Sequence, residues 1–138
     1  MKKNVLIGLL VVFLIFLVAV VYIYNKPHRD VVDEKATYSL TLEQIQNEFS
    51  ENEAEASKKY FNQVVELSGK LTSLNDGGNG RYDFVITSNG KVANGEIVQI
   101  SPDQKELIEK EVLVKGLFIG YDDLLEEIQL SECTLKEK

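Results

Sequence analysis

An uncharged apolar run of 20 residues, from Val5 to Tyr24, is the strongest constraint on how this chain folds. At about 1.5 Å per residue, a helix of that length spans roughly 30 Å, the thickness of the hydrocarbon core of a bilayer. Lipid offers no hydrogen-bond partners, so only a helix satisfies every backbone group of such a segment. Lys2 and Lys3 precede the run, and two tyrosines lie near its far end, where aromatic rings favour the headgroup region. The pattern predicts an N-terminal transmembrane anchor over residues 1–24.

A cleaved signal peptide also begins with lysines and an apolar run, so it is the alternative interpretation. The apolar part of such a peptide is normally shorter, and small residues mark its cleavage site, whereas Ala19 stands alone among Val, Tyr and Ile. A lipoprotein signal needs a cysteine just after the run, but the only cysteine is Cys133. We therefore expect an uncleaved anchor.

The charges that flank the run bear on its orientation. Lys2 and Lys3 favour a cytoplasmic N-terminus, while Lys26, Arg29 and Lys35 follow on the other side and count against it. Short N-terminal tails rarely cross a membrane, and long domains cross largely regardless of charge. The prediction is a single-pass protein of the cytoplasmic (inner) membrane, with its N-terminus inside and its domain in the periplasm or exterior.

The chain after the anchor is strongly acidic. Without Lys2 and Lys3, 13 basic residues stand against 22 acidic ones across residues 25–138, a net charge of −9. Phosphate backbones and anionic lipid surfaces repel such a domain on average, so nucleic acid is disfavoured as a partner. A single cysteine makes no internal disulfide, and the fold must rest on its apolar core.

Residues 25–40 are interpreted as a linker, because Pro27 discourages continuation of the helix and charges of both signs follow it. A leading amphipathic helix is predicted over residues 41–59, where Thr41 and Gln44 fit a capping box. Apolar residues recur on one face of this helix at helical spacing: Leu42, Ile45, Phe49, Ala56 and Tyr60. The glutamates on its other faces are interpreted as a solvated surface.

From residue 64 onward the apolar pattern has the period of two that is typical of strands. Five strands are predicted, at 64–74, 81–87, 92–100, 112–121 and 124–135, with a short helix over 101–110 between the third and the fourth. NDGGNG at 75–80 and Asn89-Gly90 are hairpin turn signals. Leu74 in the first strand and Cys133 in the last fall out of phase with the residues before them, which predicts a bulge in each.

The fold class that follows is all-β with accessory helices. Five strands bent by glycines and bulges, with a helix between the third and fourth, predict a five-stranded OB-fold Greek-key barrel within residues 41–138. Closure of the barrel removes the edges that five apolar strands would otherwise expose. An SH3-like barrel is the alternative, but it usually lacks a helix at this position.

Four segments of the chain carry a resemblance to a known family. They are KPHRD at 26–30, NEAEASKKYFNQVVELSGKL at 52–71, KGLFIGY at 115–121 and ECTL at 132–135. In these segments the chain resembles the tRNA_anti-like family of OB-fold domains. The resemblance implies a membrane-anchored bacterial envelope protein of unassigned function, and it supplies no catalytic residues. The third strand lacks the cysteine expected in many relatives, so no role built on a cysteine pair is expected.

The residues that most often carry chemistry are isolated in this sequence. A metal site needs three or four converging ligands, and the only histidine, His28, lies on the linker without a ligand motif. Cys133 lies at alternation spacing in an apolar strand, which is typical of a buried small side chain. NDGGNG lacks the Lys-Ser/Thr ending and the helix of a phosphate-binding loop. We expect no catalytic residues, no metal, no cofactor and no enzymatic activity.

The surface that OB barrels commonly use for binding indicates which residues to test. It consists of the second and third strands and the adjoining loops, and here it gives Arg81, Tyr82, Phe84, Lys91 and Tyr121 as candidate ligand-binding residues. Tyr82 and Phe84 share one side of their strand, so both face the core or both face a ligand, and the core is favoured. The expected function is a membrane-anchored binding module for an envelope protein, peptide or glycan; the alternative is single-stranded nucleic-acid binding through the OB face.

Overall fold

A computed structural model describes residues 2–25, 30–98 and 100–138. Its elements are α1 (Lys2–Tyr24), β1 (Tyr38–Thr41), α2 (Leu42–Glu51), α3 (Glu53–Tyr60), β2 (Val64–Gly78), β3 (Arg81–Ser88), β4 (Lys91–Ile97), a 3-10 helix (Pro102–Leu107), β5 (Glu111–Asp122) and β6 (Glu127–Glu137). The predictions for Lys26, Pro27, His28 and Arg29 lie outside the described residues.

The N-terminal helix α1 has 23 residues, and none of them is buried against the rest of the chain. It is strongly apolar, and it carries no acidic residue. A helix of this length and composition is suited either to anchoring the chain in a membrane or to acting as a signal sequence.

Five strands close into a barrel, as the sequence pattern predicted. The sheet order is β1-β2-β3-β4-β6-β5, and antiparallel pairing of β2 with β5 closes the ring. The link between β4 and β6 is parallel, while the other barrel pairings are antiparallel. The 3-10 helix lies between β4 and β5, the third and fourth barrel strands, and is shorter than the predicted helix over 101–110. The all-β OB-fold barrel with accessory helices is therefore confirmed.

A sixth strand, β1, lies where the sequence indicated only linker. It pairs in parallel with Val65–Ser68 of β2, on the edge that β3 leaves free because β3 begins its own pairing at Lys70. Just before β1, the Thr37 amide donates to the carbonyl oxygen of Val64 at 2.7 Å. The predicted linker over 25–40 thus ends in an ordered strand that extends the sheet. Its residues do alternate between apolar and polar, but a run of four is too short to distinguish a strand from a linker, which is why the sequence did not reveal it.

The single leading helix predicted over 41–59 is two helices. The capping box is present: the Gln44 amide donates to Thr41 Oγ1 at 3.2 Å, and the Thr41 amide donates to Gln44 Oε1 at 2.9 Å. Asn52 then breaks the helix with extended backbone angles, and its side chain accepts from the Glu55 amide to begin α3. Asn is a strong helix-capping residue, and Asn52 serves both helices: its backbone amide donates to the Glu48 carbonyl at the end of α2, and its side chain starts α3.

Both predicted bulges are present. The pairing of β2 with β3 shifts register between Leu71 and Ser73. In β6 the buried side changes after Leu130, and Cys133 is the next core residue, with Glu132 at a positive φ of 50°. The bulges let each strand keep apolar residues inside while it bends around the barrel.

The boundaries of the hairpins differ from the prediction in detail. β2 continues through the first four residues of NDGGNG and ends at Gly78, so the turn is only Asn79-Gly80. The turn at Asn89-Gly90 is present, with φ of 49° and 79° at the two positions, as a two-residue hairpin requires. The third barrel strand ends at Ile97, three residues before the predicted end.

Helix α2 covers one end of the barrel and joins it to a cluster of aromatic rings. Leu42, at its start, lies over Gly69, where any added Cβ would come within 3.2 Å of the leucine. The buried Gln46 side chain donates from Nε2 to two backbone carbonyls of the barrel strands and loops, at 2.9 and 2.8 Å. Five rings pack between the helices, β1 and β5: Tyr38, Phe49, Tyr60, Phe118 and Tyr121. This contact holds the helices against the side and end of the barrel.

Candidate binding face

A shallow groove of about 370 Å³ crosses the outer surface of β3, β4, β5 and β6. Strand alternation places its outward side chains above a floor that belongs to the core. The outward residues are Asp83, Val85, Asn94, Glu96, Ile119, Gln129 and Ser131, and the floor is Phe84, Gly95 and Leu130. We call this surface the sheet groove. No other segment of the described chain covers it, so a ligand can reach it.

Gly95, in the floor of the sheet groove, lies where β4 and β6 approach each other closely. A Cβ at Gly95 would lie 3.0 Å from the Leu130 carbonyl carbon and 3.0 Å from the Phe84 ring, and closer still to the Leu130 carbonyl oxygen. Only glycine fits there without a shift of β4 away from β6.

The charged side chains of the sheet groove are acidic. Asp83 of β3 lies directly opposite Glu96 of β4 in the antiparallel register. Arg81 pairs with Glu96, with its Nη1 at 3.0 and 3.2 Å from the two carboxylate oxygens. Among the described residues, no basic side chain comes within 4.0 Å of the Asp83 carboxylate. The groove therefore presents one paired and one unpaired carboxylate.

The other outward residues are neutral. Asn94 donates from Nδ2 to the Glu127 carboxylate at 2.6 Å, which fixes its amide at one end of the groove. Ile119 is 45% exposed, and Val85 is half-buried, so apolar surface lies between the polar residues. This mixture of apolar and polar side chains is typical of a surface that binds a ligand.

The five predicted ligand-binding residues do not form one surface. Arg81 lies beside the sheet groove, but Glu96 neutralises it. Phe84 is 1% exposed and belongs to the core, and Tyr82 is half-buried against the core, with the Lys105 ammonium 5.3 Å from its ring centroid. As the pattern favoured, the shared side of Tyr82 and Phe84 faces inward. Their rings are not available as a stacking platform.

Lys91 and Tyr121 lie at the α2 end of the barrel. The Lys91 ammonium is 3.9 Å from the Glu126 carboxylate. The Tyr121 ring stacks on Phe49 with their centroids 4.6 Å apart. Burial, reinforced by nearby acids, raises the pKa of Tyr121 above its ordinary value. These two residues are thus part of the junction between the helices and the barrel.

Sequence reasoning missed the groove residues that come from β5 and β6. Ile119 is flanked by the buried Phe118 and by Gly120 within an almost wholly apolar strand, so its outward direction could have been read from the alternation alone. Gln129 and Ser131 face outward by the same rule. Nothing in the sequence indicated that these residues meet Asp83, because that depends on the closure of the barrel.

A second concavity, of about 570 Å³, lies between α2 and α3 at the Asn52 break. It is lined mainly by charged side chains, and its central contact is an ion pair between Lys59 Nζ and Glu48 at 2.8 Å. The hydrogen bond from Lys59 lowers the pKa of Glu48, and the same bond raises the pKa of Lys59. The two charges of this exposed pair compensate each other, so the charged lining of the concavity does not indicate a bound ligand.

Most basic side chains of the described domain are already engaged. Ion pairs join Lys59 to Glu48, Lys70 to Glu109, Arg81 to Glu96, Lys91 to Glu126 and Lys110 to Glu137. Lys115 instead donates to the backbone carbonyls of Val32 and Glu34 at 2.7 and 2.9 Å. Binding of a phosphate backbone requires a continuous track of basic side chains, and these contacts leave none along the described surface.

The lone cysteine lies in the barrel core. Cys133 is 1% exposed, and burial raises the pKa of its thiol far above the ordinary value. A thiol in this state does not act as a nucleophile at neutral pH, since the thiolate is the reactive form. Within residues 2–25, 30–98 and 100–138, no three His, Cys, Asp or Glu side chains come together as a metal site would need.

The closed barrel and its outer groove define the chain as an OB-fold domain joined to an N-terminal apolar helix. The sequence model of the tRNA_anti-like family matches residues 1–120, and the chain belongs to this family. The resemblance drawn from the four sequence segments is therefore confirmed. No curated protein matches the chain.

Solved structures with a similar fold come from distant proteins. A Klebsiella pneumoniae protein, provisionally named a nucleic acid-binding lipoprotein, has a TM-score of 0.53 and 14% identity, covering 72% of this chain and 91% of its own. A Leishmania major protein provisionally named an aspartyl-tRNA synthetase has a TM-score of 0.46 and 11% identity, covering 87% and 26% respectively. Asparaginyl-tRNA synthetase from Entamoeba histolytica has a TM-score of 0.43 and 10% identity, covering 56% and 21%. The chain thus spans about a quarter or less of the two synthetases, and the likenesses concern the fold alone.

Proposed function

We propose that this protein is a membrane-anchored binding module that engages an envelope protein, peptide or glycan through the sheet groove, without catalysis. The observation that carries the proposal is the groove itself, an open surface on which the apolar side chains of Ile119 and Val85 lie among polar ones, on the face that OB barrels commonly use. Catalysis is not proposed because the residues that could supply it are buried or isolated, Cys133 among them.

The apolar helix α1 supports the anchored part of the proposal. We propose that it remains uncleaved in the cytoplasmic membrane, with the N-terminus inside and the OB domain in the periplasm or exterior. Anchoring would hold the domain in a thin layer beside the bilayer, which raises its effective concentration toward other membrane-bound partners. A reporter fused after Lys138 tests the orientation. Activity of a periplasm-dependent reporter is expected, and activity of a cytoplasm-dependent one would contradict this topology.

Single-stranded nucleic acid is the alternative ligand, and the OB fold together with the name of the Klebsiella protein favours it. Binding of single-stranded nucleic acid combines a basic groove with exposed aromatic rings. In the sheet groove Arg81 is paired with Glu96, the ring of Phe84 is buried and the Asp83 carboxylate is unpaired, so these features oppose the alternative. The full chain in a non-ionic detergent should be titrated with a labelled thymidine oligonucleotide at low and at moderate salt. Weak binding at both is expected. Tight binding that falls steeply with salt would establish the alternative.

Site-specific photo-crosslinking in cells tests the binding role directly. p-Benzoylphenylalanine in place of Ile119 puts the crosslinker in the sheet groove, and the same group in place of Lys58 puts it on α3, which lies apart from the groove. A discrete crosslinked product in the membrane fraction is expected from the Ile119 position and not from the Lys58 position. Equal products from both positions, or none from Ile119, would count against a binding surface at the groove.

A further inference from the structure

The chemistry of the sheet groove narrows the class of its ligand. Its apolar surface comes from the exposed Ile119 and the half-buried Val85, and its charged rim comes from the carboxylates of Asp83 and Glu96. Both rim charges are negative. Among the described residues, the basic side chain that lies beside them is Arg81, which pairs with Glu96 and leaves Asp83 unpaired.

We propose that the sheet groove binds an extended peptide segment of an envelope protein that carries alternating basic and apolar side chains. The inference rests on the proposed binding role of this face and specifies its ligand. An extended chain repeats its side chains at a period of two, so basic residues would meet Asp83 and Glu96 while apolar residues would lie on Ile119 and Val85. Complementary charge would steer the segment and set its register on the groove.

A glycan or a nucleic acid fits this surface less well. Both are commonly held by flat aromatic surfaces, and among the described groove residues the only aromatic ring, that of Phe84, is 1% exposed. An anionic polymer would in addition meet the unpaired Asp83 carboxylate. Neutral polar residues such as Gln129 and Ser131 are instead suited to hydrogen bonds with a peptide backbone.

Synthetic probes of defined charge and polarity distinguish the classes of ligand. The full chain in a non-ionic detergent is titrated with a fluorescent decapeptide of alternating leucine and lysine, with a matched decapeptide of leucine and glutamate, with a neutral β-linked glucose hexamer and with a thymidine oligonucleotide. We expect binding of the lysine peptide alone. If that peptide does not bind at millimolar concentration, or if the glutamate peptide binds equally well, the inference is wrong.

Variants show whether the probe occupies the sheet groove. Asp83→Asn combined with Glu96→Gln should weaken binding of the lysine peptide about five- to tenfold, because two rim charges are lost and Arg81 is released. Glu51→Gln combined with Glu55→Gln removes the same charge from the α2–α3 concavity and should change the affinity less than twofold, within the range of weak screened interactions. Equal losses from both pairs would indicate non-specific attraction to an acidic protein and overturn the inference.

A second pair of variants tests the proposed contacts between the apolar side chains of the peptide and the groove. Ile119→Thr should weaken binding of the lysine peptide about threefold or more, since it removes exposed apolar surface from the groove. Leu124→Thr changes a leucine that is 89% exposed on the β5–β6 turn and should leave the affinity unchanged. If instead the glycan or the oligonucleotide binds and Ile119→Thr weakens it, the groove still binds ligands and the proposed function stands, but the peptide inference fails.

Discussion

The contact between Gly116 and Cys133 allows a sharp test of how the barrel closes. In Gly116→Ala the added Cβ would lie 3.1 Å from the Ser131 carbonyl oxygen and 3.3 Å from Cβ of Cys133, and closer still to the Cys133 sulfur. Gly116 lies on β5, where that strand packs against the bulge of β6. The substitution therefore forces the sulfur or the two strands apart.

The expected energies follow from the identity of the obstructing atom. Overpacking of a tight core site costs about 1–3 kcal/mol, and the closeness of the sulfur places Gly116→Ala near 3 kcal/mol. Cys133→Ala alone removes one buried sulfur and should cost about 1–2 kcal/mol. In the double variant the new methyl group occupies space that the sulfur has left, so we expect a total loss of about 2 kcal/mol instead of the additive 4–5 kcal/mol. Some loss remains because the Ser131 carbonyl still obstructs the methyl group.

Urea unfolding of the full chain in a non-ionic detergent, followed by circular dichroism, measures these free energies, since the protein has no tryptophan. Gly120→Ala is the matched control on the same strand, because its nearest neighbour would be the Gln129 side-chain oxygen at 3.6 Å, an ordinary contact. Labelling of the single thiol adds a second readout, and it should be faster in Gly116→Ala than in the wild type because the barrel opens more often. Strict additivity of the two substitutions, or equal effects of Gly116→Ala and Gly120→Ala, would refute the packing described here.

Three further substitutions test other contacts, each by urea unfolding. Gly95→Ala should cost about 3 kcal/mol, because the added Cβ meets the Leu130 carbonyl, which no side-chain rotation can relieve; a loss below about 1 kcal/mol would contradict the close approach of β4 and β6. Gln46→Leu should cost about 2–4 kcal/mol, since two partly buried carbonyls lose their donor, and an unchanged stability would show that those bonds do not form. Glu48→Gln should cost less than about 1 kcal/mol at neutral pH, because its pair with Lys59 is exposed. The pKa of Glu48 is lowered in the folded protein, so this difference should be present above pH 4.5 and vanish as the pH falls below it; a difference that persisted at acid pH would exclude the pair as its source.

The barrel could be predicted from the sequence because alternation and its interruptions are local properties. A strand that keeps one side buried must change phase where it bulges, and the positions of Leu74 and Cys133 recorded those changes. Two-residue turns rich in asparagine and glycine marked the hairpins for an equally local reason, since both positions need a positive φ.

The elements that the sequence concealed depend on partners far along the chain. β1 is a strand only because β2 offers it a free edge, and the alternation of its four residues is too short to predict a strand. The break at Asn52 was concealed because Ala56 follows Phe49 by seven positions, a spacing close to two helical turns that preserves the apolar face. Local periodicity cannot distinguish these cases from a linker and a continuous helix.

The candidate site was predictable only in its location on the OB face. Arg81, Tyr82 and Phe84 are neighbours on one strand, so the sequence could place them together, and alternation correctly favoured the core for the two rings. The groove itself combines side chains from four strands, and its charge depends on which bases pair with which acids across those strands. Both depend on barrel closure, which no single strand encodes.

The parallel pairing of β1 with β2 also determines how the barrel would respond to mechanical load. Force applied to the chain from its N-terminal side would first load the hydrogen bonds from Lys115 to the carbonyls of Val32 and Glu34. It would next load the hydrogen bond from the Thr37 amide to the Val64 carbonyl. Beyond them lies the β1–β2 ladder, where four residue pairs lie side by side along the direction of the chain. Tension would therefore be shared among several hydrogen bonds of the β1–β2 ladder before it reached the closed barrel. The short strand would protect the barrel from force transmitted through the linker.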